Sequence, residues 1–176
     1  MVEIPWITVE TAAKERLGLS DAQLDTARQV EPDEDFEDTF ILERDTGEPN
    51  SEGKLPDITA VVSEIPQDMR ERLRSFLTRV RKAGLDTTNN KRKRNEISLD
   101  IMDQALQTIE SSYLTSIEHD IQLLGEGSSI SLRHNMAIHV RLGEKRLVRE
   151  ARERLAEAAH QESGDQDRET HQRRIR

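Results

Sequence analysis

Histidine is the residue type best able to hold a metal or move a proton. His134 and His139 lie five apart in this chain, and His119 stands alone. Zinc on a single helix favours His at i and i+4 with a third ligand nearby. At the helical step of about 100° per residue, a spacing of five turns the second ring about 140° away from the first. The spacing therefore argues against a metal site. The chain has no cysteine, so disulfides and thiolate ligands are excluded and a reducing compartment is the simpler setting. No residue is assigned a catalytic, cofactor-binding or metal-binding role, and no substrate-binding residue is singled out.

Two charge clusters point outward. Lys91-Arg92-Lys93-Arg94 has the make-up of a nuclear localisation signal, and equally of a solvated linker. Residues 31–38 are almost wholly acidic. Such an arm could steer a lysine-rich ribosomal or histone segment toward a cleft. The simpler alternative is a solubilising loop. Residues 1–70 hold 18 acidic and 6 basic side chains, a net of −12, and residues 71–176 hold 17 and 20, a net of +3, giving −9 for the chain. This split implies an acidic N-terminal surface and a near-neutral body. Nucleic-acid binding, which needs a positive field on one face, is not expected. No apolar run reaches the length of a membrane span, and the N-terminus lacks the layout of a signal peptide.

Arg141, Glu144, Lys145 and Arg149 suggest salt bridges along one helix. Arg141 with Lys145 is a like-charge i,i+4 pair, whereas Glu144 with Arg141 at i,i+3 is favourable. Exposed pairs contribute only about 0.3–0.5 kcal/mol, so the group reads as a solvated face. Gly143 costs about 1 kcal/mol relative to Ala inside a helix. Its presence predicts a close helix crossing. Trp6, the single tryptophan, is expected to anchor the N-terminal arm in the core.

These residues need elements to hold them. Residues 2–9 are β-prone, and Pro5 limits them to an edge strand or extended arm. Thr8 or Thr11 is expected to cap a helix over 9–17, stopped by Gly18. Ser20 with Gln23 forms a capping box for a helix to about Arg28. Thr39–Leu42 reads as a short strand, residues 45–53 as a turn-rich loop, and 55–63 as either extended or helical. Pro66 suits the first turn of a helix over 66–83, with Met69, Leu73, Phe76, Leu77 and Val80 on one face. A polar linker spans 84–95. Ile97, Ile101, Ala105 and Ile109, beside Met102 and Leu106, give the strongest helical signal. After a break near Tyr113, Thr115 or Ser116 caps a helix with Ile117, Ile121 and Leu124 on one side, ended by Gly125-Glu126-Gly127. Ser129 or Ser131 opens a last helix whose apolar positions include Leu132, Met136, Ile138, Val140, Leu142, Leu147, Val148, Ala151 and Leu155. Residues 161–176 lack apolar side chains apart from Ile175 and are predicted to be disordered.

Four stretches, in order, carry a family resemblance. Arg141-Leu142-Gly143-Glu144-Lys145 resembles the "RLGEK" helix of the C-terminal substrate-binding domain in SET methyltransferases of the Rubisco large-subunit methyltransferase type, a group that includes the fungal ribosomal lysine methyltransferases. The segment from Tyr113 to Leu124 is similar to the "YPTSLEEDEALL" segment of that domain, with Leu114 in place of Pro. Phe36–Leu42 and the loop to Pro49 resemble its "DSFVLDDDGEP" element. Val2-Glu3-Ile4-Pro5 is similar to the "VEIP" that closely follows the SET domain.

The resemblance covers about residues 2–155. The family's cofactor elements, a Gly-rich strand segment, an Asn-His motif and a late tyrosine, have no counterpart here. His134-Asn135 is in the reverse order, and Tyr113 falls in the helical part. The chain is therefore expected to be a fragment, a truncated gene model or a degenerate copy without its SET domain, which makes enzymatic activity of its own uncertain. Without that SET domain, Trp6, Ile7 and Val9 would form an exposed association patch.

The fold class expected is mostly α, a helical substrate-binding domain with a short extended or β N-terminal element. Its parts are an arm with short helices (1–30), an acidic segment and loop (31–65), the helical domain with its linker (66–160) and a tail (161–176). The resemblance implies recognition of a protein substrate, lysine-rich proteins being among the candidates, for lysine N-methylation, with S-adenosylmethionine the cofactor of the full-length family and none expected in this chain. The location implied is nuclear or cytoplasmic, and the oligomeric state stays open. The alternative is a stand-alone helical interaction module unrelated to methylation.

Overall fold

Alternation of Val2 and Ile4 with Glu3 and Pro5 produces a strand with one buried face, β1 (Val2–Pro5). It pairs antiparallel with β2 (Thr39–Leu42), Val2 opposite Leu42 and Ile4 opposite Phe40, so that all four apolar side chains share the core side. The computed structural model describes residues 1–30, 37–43, 65–86, 90–125 and 131–174, with side chains through residue 160. The expectations for 31–36, 45–53, 55–63, 87–89, Gly127, Ser129 and Ile175 lie outside the described residues.

The first helix, α1 (Trp6–Leu17), follows β1 without a linker. It starts earlier than the expected 9–17, and neither Thr8 nor Thr11 caps it. Pro5 enters the helix with φ −64° and ψ 137°, a value its ring already fixes. The Trp6 amide donates to the Asp38 carbonyl at 2.8 Å. The neighbouring β2 end thus supplies the acceptor that a capping hydroxyl would otherwise supply. Thr11 instead donates back to the Ile7 carbonyl inside the helix. Gly18 ends α1 at φ +66°, a left-handed conformation that glycine adopts without steric cost.

The helix α2 (Asp21–Gln29) opens on the expected capping box, with the Gln23 amide donating to Ser20 Oγ and the Ser20 amide donating to Gln23 Oε1. The helix α3 (Gln67–Lys82) begins after Pro66 and buries Met69, Leu73, Phe76 and Val80 completely. Full burial of a side chain such as Phe76 contributes roughly 1.5–3 kcal/mol.

Trp6 sits at the junction of these elements. Its ring meets Phe40 and Phe76 edge-on, at centroid distances of 6.4 and 6.0 Å. The Arg72 guanidinium lies 4.5 Å from the Trp6 ring, and Arg72 also donates to the Glu37 carbonyl and Asp38 carboxylate. The anchoring role expected of Trp6 is the one observed. The expected Trp6-Ile7-Val9 patch is not, because Trp6 and Val9 are buried and only Ile7 faces out.

The expected linker at 84–95 is shorter. The helix α4 (Lys91–Ser112) begins within it, because the Asn90 side chain accepts from the Arg92 amide and caps the helix. Lys91–Arg94 therefore form its first turn. Ile97, Ile101, Met102, Ala105 and Leu106 of α4 are buried as the periodicity predicts. After Tyr113 comes α5 (Ile117–Gly125), and then α6 (Leu132–Arg174). Packing of α4 on α1 and α6, and of α5 on α6, assembles the helical body.

Three expectations on α5 and α6 are corrected. Of Ile117, Ile121 and Leu124, only Ile117 is buried, since α5 turns the buried Asp120 rather than Ile121 toward α6. Leu132, Met136 and Val140 are exposed, whereas Ile138, Leu142, Leu147, Val148, Ala151 and Leu155 are buried. The backbone stays helical to Arg174, where the sequence suggests disorder. Glu, Gln and Arg extend an existing helix at little cost because its nucleus has already formed. Among the described residues, no helix is long and apolar enough to cross a membrane.

Candidate functional site

The α5–α6 contact is built around one carboxylate. Tyr113 takes an extended backbone (φ −75°, ψ 130°), which ends α4 and turns the chain. Ser116 then accepts from the His119 amide through Oγ and from the Asp120 amide through its carbonyl. This first turn aims the Asp120 side chain inward, where none of it is exposed. Across the contact, Arg141 and Lys145 stand at i,i+4 on the inner face of α6, as Ser131 Oγ accepts from the His134 amide at the start of that helix.

Every polar position of Asp120 is filled. Arg141 donates to both carboxylate oxygens, with Nε 3.1 Å from Oδ2. Lys145 Nζ donates to Oδ2 at 2.6 Å and the Thr115 hydroxyl to Oδ1 at 2.9 Å. The three ammonium protons of Lys145 also have three acceptors: Asp120, Thr115 Oγ1 at 2.8 Å and the Ser116 carbonyl at 3.4 Å. A carboxylate offers about four acceptor sites and an ammonium three donors, so the network is saturated. The Arg141 guanidinium, aided by Lys145 and Thr115, holds the Asp120 carboxyl far below the ordinary carboxylate range, against the opposing pull of burial.

The network has a wet edge. Lys145 Nζ lies 5.6 Å from the centre of the Tyr113 ring, and the Tyr113 hydroxyl donates to Glu144 Oε2 at 3.2 Å. Burial, with the neighbouring Glu144 carboxylate, pushes the phenol up to about 12. Tyr113 and Glu144 border a cleft of about 560 Å³ that also takes in Glu3, Pro5 and Thr8. Its described lining holds two carboxylates and an aromatic ring, with no lysine or arginine side chain. Below it, Arg149 pairs with Glu110 and Glu118, and Arg152 with Asp103 and Glu110, tying α6 to α4 and α5.

This arrangement corrects the solvated-face reading of α6. Lys145 is 2% exposed. Arg141 pairs with Asp120 rather than Glu144, and Glu144 accepts from Tyr113. Nothing approaches within 4 Å of the place a Cβ on Gly143 would take, so the expected helix crossing is not at that residue. The missed signal lay in the stripe itself. Ile138, Arg141, Leu142, Lys145 and Val148 recur at spacings of three and four, which puts two cations among buried positions and calls for a buried anion. His119, His134 and His139 are all exposed, and no group of potential metal ligands forms among the described residues.

Saturated ion pairing inside, an acidic aromatic cleft outside and long-range salt bridges between helices define a helical domain with a fixed surface. Residues 19–148 match the family model for the Rubisco LSMT substrate-binding domain, a span that contains Tyr113, Asp120, Arg141 and Lys145. The chain belongs to that family. No curated protein and no solved structure matches it.

Proposed function

We propose that this domain recognises the protein substrate of a lysine N-methyltransferase, with a SET domain supplying S-adenosylmethionine chemistry. Family membership supports the substrate-binding role. The observation that carries the finer reading is the cleft of Glu3, Tyr113 and Glu144. Two carboxylates attract an ammonium group, and the aromatic ring receives its aliphatic stem. The Asp120 network beneath holds the Tyr113–Glu144 edge in place, so that little ordering is left to be done on binding. The substrates this favours are lysine-rich proteins, ribosomal and nuclear ones among them.

Fluorescence anisotropy with a labelled lysine-rich peptide tests this reading. Saturable binding that weakens roughly tenfold in Glu144→Lys is expected, from loss of attraction and added repulsion. Equal binding of a peptide with every lysine replaced by glutamate would sink it.

A further inference from the structure

The molecule has a second groove, of opposite sign. It lies between α3 and the start of α4 and holds about 380 Å³. Arg70, Arg74, Leu77 and Arg81 follow one another at spacings of four, three and four, a stripe next to the buried face of α3. Lys91 and Arg94 face them from α4, and the half-buried Leu99 joins Leu77 on an apolar floor. Among the described lining residues, five are basic and one, Asp86, is acidic.

The α4 terminus adds to this field. Lys91, Arg92, Lys93 and Arg94 open the helix, and its first turn has no acidic residue. A helix N-terminus is itself partly positive, so four cations there oppose the macrodipole. The local arrangement is one that an external anion relieves.

We infer that this groove binds an acidic segment of a partner protein that also carries aliphatic side chains. The cations fix the sign of the ligand. The half-buried Leu77 and Leu99 on its floor favour a peptide over a bare anion, which would leave their exposed parts uncovered. A nucleic acid fits less well, because the described lining has no aromatic side chain for base stacking. The chain's net charge of −9 would also repel a polyanion running beyond the groove. The chain's own Glu37 and Asp38 meet Arg72, about 160° around α3 from Arg74 by the helical step. The groove is therefore distinct from the contact that Glu37 and Asp38 make with Arg72. It is also independent of the lysine-binding cleft.

The test uses the full chain and a labelled peptide of glutamates interspersed with leucines. Saturable binding is expected, weakening roughly tenfold when Arg74→Glu and Arg94→Glu are combined, and fading as salt rises. Reversal at Arg94 agrees with the α4 dipole, so the melting temperature should hold or rise while affinity falls. That combination separates lost contacts from lost folding. Absence of saturable binding overturns the inference, as does binding that survives the double reversal. Equal affinity for inorganic phosphate or oligothymidine overturns the peptide assignment. Dimerisation of the chain that the same reversals abolish assigns the groove to a second copy instead. Binding of the lysine-rich peptide should be unaffected by these variants, which keeps the two sites separable.

Discussion

Lys145 Nζ lies 2.6 Å from Asp120 Oδ2, with both side chains almost wholly removed from solvent. Desolvating two charges costs several kcal/mol per ion, and the pair persists only because Arg141, Thr115 and the Ser116 carbonyl complete its hydrogen bonding. Such a pair is weak evidence of net stabilisation. Removing one partner is another matter, since it strands a buried charge.

Asp120→Ala should therefore destabilise the domain by about 3–5 kcal/mol, leaving Lys145 and Arg141 facing each other without the anion between them. For a chain of this size each kcal/mol shifts Tm by roughly 2–4 °C, so a fall on the order of 10 °C is expected in thermal unfolding. A change within 1 °C would mean that the network relaxes into solvent.

Acid should act through the same residue. The folded Asp120 carboxyl titrates well below its ordinary value of 3.8. Its stabilising share is thus complete above that value and is lost as pH falls below it toward the folded one. Tm should decline on acidification in this range, and part of that decline should vanish in Asp120→Asn, which has nothing to protonate. Identical acid limbs in the two proteins would count against the network as its source.

How much of this could be read from sequence depends on the distance between partners. The Ser20–Gln23 box spans three residues and was legible, as was the buried stripe of Ile97, Ile101 and Ala105. The αL stop at Gly18 was equally local. Asp120, in contrast, meets Arg141 and Lys145 across 21 and 25 residues. Read within one helix, those cations have only Glu144 as a neighbour and look solvated. The resemblance singled out both stretches, but their meeting is a tertiary fact. The start of α1 was missed for the same reason, because its first acceptor, the Asp38 carbonyl, comes from the end of another strand.

The single tyrosine makes the wet edge measurable. Tyr113 should form its phenolate near 12 in an ultraviolet titration, because burial and the Glu144 carboxylate both disfavour the second negative charge. Glu144→Gln removes the carboxylate's share and keeps that of burial, so the midpoint should move only part of the way toward 10. A midpoint already at 10 in the native protein would show that the phenol is neither buried nor beside Glu144.

The two faces of early α6 should respond oppositely to truncation. Ile138 is wholly buried, whereas Met136 is 61% exposed two residues away. Ile138→Ala should cost about 2–5 kcal/mol, from lost transfer energy and the cavity left behind. Met136→Ala should stay within about 0.5 kcal/mol, because no packed neighbour loses contact and Ala favours the helix. Urea unfolding of both variants decides the point. Comparable losses would mean that the Leu132, Met136 and Val140 stripe is covered in solution, and light scattering would then locate the cover in self-association if the apparent mass exceeds that of one chain.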